Sequence, residues 1–146
     1  MSSNIGVRCS TIEECYEFML AYAAQGLPSD AGSKSGGQLR DFLERFVAAL
    51  TGLAEGWRSA VSEVDAESVG RHSAFIAVLD RDARDTLAAI ELVRAQPTIS
   101  SQLIDNLNAS IHLRALLTDL FLLDEIHKTE LRQKQAPTAD SRSRLQ

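Results

Sequence analysis

The chain has 146 residues, 45% of them apolar and 24% charged, and a net charge of −5. That length suits one domain able to bury its own core without a disulfide or metal staple. An acidic chain with no basic–aromatic patch argues against a nucleic-acid partner, and no apolar run approaches the roughly 18 residues of a membrane span. Nothing in the first residues has the pattern of a secretory signal. Cys9 and Cys15 are the only cysteines; their spacing fits neither a Cys-x-x-Cys pair nor a zinc site, so reduced thiols and a cytoplasmic location are the expectation. Arginine outnumbers lysine 12 to 3, a composition common in GC-rich bacteria. Charge is unevenly placed: Arg132–Gln146 holds four basic residues against one acidic, so the rest of the chain is more acidic than the total suggests.

Ser10-Thr11-Ile12-Glu13 has the form of a capping box. Ile12, Cys15, Tyr16, Met19, Tyr22 and Ala23 follow at helical spacing until Gly26 and Pro28 end the run. This predicts a first helix from about Thr11 to Gln25. The segment Gly26–Gly37 is rich in glycine and serine and predicts a mobile loop. A loop of that length in a compact bundle is either functional or disordered, and it would lie over the aromatic residues Tyr16, Tyr22, Phe42 and Trp57.

A second helix is predicted over Leu39–Val64. Leu39, Phe42, Leu43, Phe46, Leu50, Leu53, Trp57, Val61 and Val64 keep one stripe, and the stripe runs through Gly52 and Gly56 without losing phase. These glycines each cost about 1 kcal/mol but do not by pattern end the helix. A third helix carries His72, Ile76, Leu79, Ala83, Leu87, Ile90 and Val93 on one side, and Pro97 stops it. Thr98 or Ser100 caps a fourth, predicted to run to about Gln133. No strand-like alternation occurs. The fold class is therefore all-α, a four-helix bundle with one short and three long helices. Residues 1–9 form an N-terminal arm, 10–134 the bundle and 135–146 a disordered tail.

The fourth helix poses the main physical problem. Leu103, Leu107, Ile111 and Phe121 define one stripe, whereas Leu113, Leu116, Leu117, Leu120 and Leu123 define another, more than a quarter turn away. A single core uses one stripe, and the second would expose a large apolar patch. The expected solution is a homodimer in which Leu113, Leu116, Leu117, Leu120 and Leu123 form the interface, with a different protein in the same groove as the alternative.

Candidate chemistry is sparse. Asp124 and His127 stand at i,i+3, the spacing of carboxylate and imidazole ligands in metal-binding bundles, but one such pair is half a site. His72, His112, Arg114 and Trp57 are the candidate ligand-binding residues. A histidine on an apolar face is more often hydrogen-bonded structure than a ligand, and Arg114, placed on the inward stripe, needs a carboxylate or an acidic ligand. Asp80, Asp82 and Glu91 fit three positions of a calcium loop, but Asp85 stands where that loop needs glycine. Gly32-Ser33-Lys34-Ser35 lacks the Gly-Lys pair of a phosphate loop. Cys15 faces the apolar stripe. No motif calls for a cofactor. The expectation is a non-enzymatic accessory or regulatory protein acting through protein–protein contact; the rival is a metal- or small-molecule-binding bundle, enzymatic or not.

Overall fold

The computed structural model describes residues 2–135, and the described chain is all-helical. Its helices are α1 (Ser2–Ala24), α2 (Lys34–Leu50), α3 (Leu53–Val64), α4 (Ser68–Arg94), α5 (Ser101–Ala109) and α6 (Ile111–Gln135). The main packing partners are α1 with α2 and α5, and α4 with α3 and α6. One continuous core runs through them, from Ile5 and Ile12 through Trp57 and Leu79 to Leu123. The tail expected beyond Gln135 lies outside the described residues.

Six helices replace the four expected because two of the long segments are broken. The first break is at Thr51 and Gly52. Gly52 has φ +78°, a left-handed conformation that only glycine adopts cheaply. The orphan carbonyls at the end of α2 are capped from a distance: the Arg8 guanidinium donates to the carbonyls of Ala49 and Thr51. Leu50, Leu53, Ala54, Trp57 and Val61 are all buried across the break, which is why the apolar period ran through it unaltered.

The second break is at Ser110, whose ψ of 144° is extended. Its hydroxyl accepts from the amide of Leu113 at 3.3 Å and so caps α6. Here the apolar phase does change, because α5 and α6 are separate helices with separate buried faces. The second stripe, Leu113 to Leu123, is the buried face of α6, whereas the first divides at the joint: Leu107 is buried on α5, and Ile111 and Phe121 are exposed on α6.

The N-terminus also differs from expectation. Ser10 does not start α1, which is already helical from Ser2. Residues before Ser10 have tertiary partners: Ile5 is buried and packs so closely on Gly56 that a Cβ there would come within 3.3 Å of its Cδ1. Arg8 adds the cap on α2.

The glycine-rich connection after α1 is pinned rather than mobile. Leu27 and Ser101 exchange hydrogen bonds, the Leu27 amide to Ser101 Oγ at 2.9 Å and the Ser101 amide to the Leu27 carbonyl at 2.8 Å. Asp30 accepts from the Ile99 amide at 2.8 Å and from Arg40 Nε at 2.9 Å. Arg40 in turn donates to the carbonyls of Arg94 and Gln96, at 3.1 and 3.0 Å, just past the end of α4. Burial pushes the Asp30 carboxyl up, but the Ile99 amide and Arg40 outweigh it and hold the group below its ordinary range. Gly36 completes the clasp by lying flat on the backbone of Asp30. A methyl group at Gly36 would fall inside the van der Waals radius of the Asp30 carbonyl oxygen, so Gly36→Ala is expected to destabilise the fold by at least about 2 kcal/mol. Urea denaturation checks this, with Gly37→Ala, which meets open space, as the benign control.

Candidate functional site

Helix α6 is where the unusual chemistry lies. Its inner face carries Leu113, Leu116, Leu117, Leu120 and Leu123, all buried within their own chain. These five leucines were expected at a subunit interface; they are core residues instead, because the break at Ser110 turns them toward α4 and α3. Enclosed by their own chain, they offer no surface to a second copy.

Two polar groups interrupt the same inner face. Asp119 is 6% exposed and lies against Asp82 of α4. Burial first, then the hydrogen bond to Asp82 and its charge, raise the Asp119 carboxyl to about 7. Asp119 thus keeps its proton up to about neutral pH, and its Oδ2 is buried without a hydrogen-bond partner. Beside them Thr86 Oγ1 lies 2.8 Å from the Asp82 carbonyl and 2.9 Å from that of His112, bridging α4 to the first turn of α6.

Two turns further along, His127 meets Trp57 of α3 edge to face, with ring centroids 5.6 Å apart. His72 of α4 pairs through Nε2 with Glu130 Oε1 at 3.0 Å, and Arg71 approaches the other oxygen at 4.0 Å. Burial lowers the His127 imidazole from its ordinary range, against the pull of Glu130 and Asp124, with His72 adding to the lowering. His127 Nδ1 and Trp57 Nε1 are both buried without a hydrogen-bond partner. The structure therefore brings together Trp57, His72 and His127 among the residues singled out from sequence, and adds Glu130.

The others separate. Asp124 pairs with Lys128 at 2.9 Å and faces α1, lining a small cleft with Cys9 and Glu13. It does not join His127 at Trp57. Among the described residues no group of three histidine, cysteine, aspartate or glutamate side chains is placed to hold a metal ion. His112 and Arg114 are exposed; Arg114 was expected inward, and the rotation of α6 at Ser110 carries it out with Phe121. An open cleft of about 220 Å³ between the α2–α3 junction and α4 is lined by Glu55, Arg58, Asp80 and Arg84 among others, none of them a residue the sequence singled out for function. Burial and Asp124 raise the Cys9 thiol to about 11, so it stays protonated at neutral pH.

Along α6, Asp119 and His127 are eight residues apart, about 12 Å by helical rise, too far to act as one acid–base pair. What they do is make the docking of α6 depend on pH. Asp119 has a folded pKa above its unfolded one, so its contribution is full in acid and is lost as pH rises from about 4 through about 7. His127 is the reverse: its folded value is depressed, and stability is lost as pH falls below the ordinary imidazole range. In the sequence Asp82 stands out only as part of a failed calcium loop, and no motif marks Asp119. The available signal was that Asp119 shares a face with Leu116 and Leu123, at i−3 and i+4.

The outer face of α6 is apolar as well. Ile111 is 76% exposed, Phe121 62%, Leu122 47% and Ile126 38%. These are most of the large exposed apolar side chains among the described residues, the rest being Val7, Leu20 and Leu92 on other helices. No helix among the described residues is long and apolar enough to cross a membrane. Comparison with family models, curated proteins and solved structures finds no match for this chain.

Replacing Asp119 by asparagine keeps a donor for Asp82 but removes the titration. Asp119→Asn should be close to neutral at pH 4.5 and stabilise by about 2 kcal/mol or more at pH 8. Urea unfolding of both proteins across that range measures the difference; a gap that does not grow with pH would show that Asp119 is ionised in the fold.

Proposed function

We propose that the protein is an accessory or regulatory module that works by protein–protein contact, as a homodimer joined through the outer face of α6. The observation that carries this reading is the concentration of Ile111, Phe121, Leu122 and Ile126 in solvent on one helix whose inner face is already a complete core contact. A concentration of exposed apolar side chains on one helix is a usual mark of an association surface. The buried histidines and aspartates belong to the packing of α6 on its own chain, where they tune how firmly the surface-bearing helix is held.

Leu122→Arg tests the reading. Sedimentation equilibrium is expected to give a dimer for the wild type and a monomer for the variant, with unchanged helical circular dichroism. A variant as dimeric as the wild type at tens of micromolar would rule out this face. Leu120→Glu, two residues earlier, should behave differently: it puts a charge into the core and should unfold the chain rather than dissociate it.

A further inference from the structure

Resting on that homodimer reading, we infer that the two α6 helices pair antiparallel about a two-fold axis between Thr118 and Asp119, with Arg114 of each copy reaching Glu125 and Phe121 of the other. The outer stripe runs Ile111, Ala115, Thr118, Leu122, Glu125 and Thr129, steps of four and three residues that keep one seam facing a partner helix. With Ile126, which flanks this seam beside Glu125, its apolar members are arranged as a palindrome. In an antiparallel pair, Ile111 opposes Ile126 of the second copy and the small Ala115 opposes the large Leu122, both pairs centred on the same point. A closed two-fold contact requires this kind of self-complementarity.

Charge selects the same register. Arg114 has no ion-pair partner among the described residues. Glu125 has only a loose contact with Arg132 at 3.9 Å, both side chains being well exposed. Arg114, Phe121 and Glu125, at i, i+7 and i+11, lie along one edge of the stripe, the edge nearer α1. Pairing about Thr118 brings Glu125 of the second copy within two residues of Arg114 along the axis, about 3 Å. It brings Phe121 of the second copy equally close on the other side. The guanidinium would then sit between a carboxylate and an aromatic face, both of which it favours. A parallel pair instead stacks Ala115 on Ala115 and sets no exposed carboxylate opposite Arg114. The seam is narrow, so the dimer should be micromolar rather than tighter.

Cysteine cross-linking under mild oxidation reads the register directly. Thr118→Cys, beside the axis, should form a covalent dimer, and Ile111→Cys alone should not. Ile111→Cys combined with Ile126→Cys should cross-link again, while the wild type, with Cys9 half-buried and Cys15 buried, should not. Charge reversal supplies a second arm: Arg114→Glu and Glu125→Arg should each weaken the dimer about tenfold, and the double variant should recover most of the loss. A dimer in which Ile111→Cys cross-links as well as Thr118→Cys would be parallel, and one in which neither does would use another face; either overturns the register while leaving a homodimer. A wild type that stays monomeric at 100 micromolar, a concentration about a hundredfold above a micromolar Kd, would overturn both.

Discussion

An extended residue cannot sit inside an α-helix, and Ser110 is extended. Most of the architecture follows from that constraint. It divides one leucine-rich stretch into α5, which packs on α1, and α6, which packs on α4. Each then has a single inward face. Leu107 and Ile104 bury from one side of the joint, Leu113 and Leu116 from the other, and the cap from the Ser110 hydroxyl starts the second helix where the first has ended. Without the break, the faces that bury Leu107 and Leu113 could not both turn inward. The same rotation sends Arg114, Phe121 and Leu122 outward, so the surface of α6 is as much a product of Ser110 as its core face is.

Arginine has a comparable role at the other joints. Arg8 closes the end of α2, and Arg40 closes the end of α4 while gripping Asp30. In both cases a side chain from a distant helix supplies donors to carbonyls that would otherwise lack them. These are long-range caps: they fix the ends of helices and the mutual placement of the elements they bridge with the same hydrogen bonds. A guanidinium, with five donors in a fixed fork, can serve several carbonyls at once where an ammonium could not reach them in that geometry.

Helical periodicity carried the class of fold, and the cores of α1, α2 and α4 follow the apolar residues it selects. It was blind to Gly52, because the stripe stays in phase there and only the backbone sign of φ changes. It was not blind to Ser110: the change of phase is plain in the sequence, and it has two physical solutions, a second chain or a broken helix. Nothing in the spacing of leucines distinguishes them; a serine at the N-cap position does. The polar clusters were half legible. Trp57, His72 and His127 stand out as isolated polar or amphipathic groups on apolar stripes, and they do converge. Arg114 falls on an inward stripe only if the helix runs unbroken through Ser110, and the break turns it outward. The pairing of Asp82 with Asp119 depends on the relative height of α4 and α6, which no local pattern encodes. The same holds for the loop clasp, whose partners are as far apart as Asp30 and Ile99.

The two-sided character of α6 bears on how this chain can vary in length. Each residue added to or removed from the middle of the helix turns everything beyond it by about 100°. A deletion near Thr118 would swing Leu123 and His127 out of the core and set Asp124 and Lys128 in their places, an insertion would set Leu122 and Ile126 there, and either would scramble the outer strip in the same motion. Insertions and deletions are thus best accommodated at Ser110, where the phase is already reset, and least tolerated between Ile111 and His127.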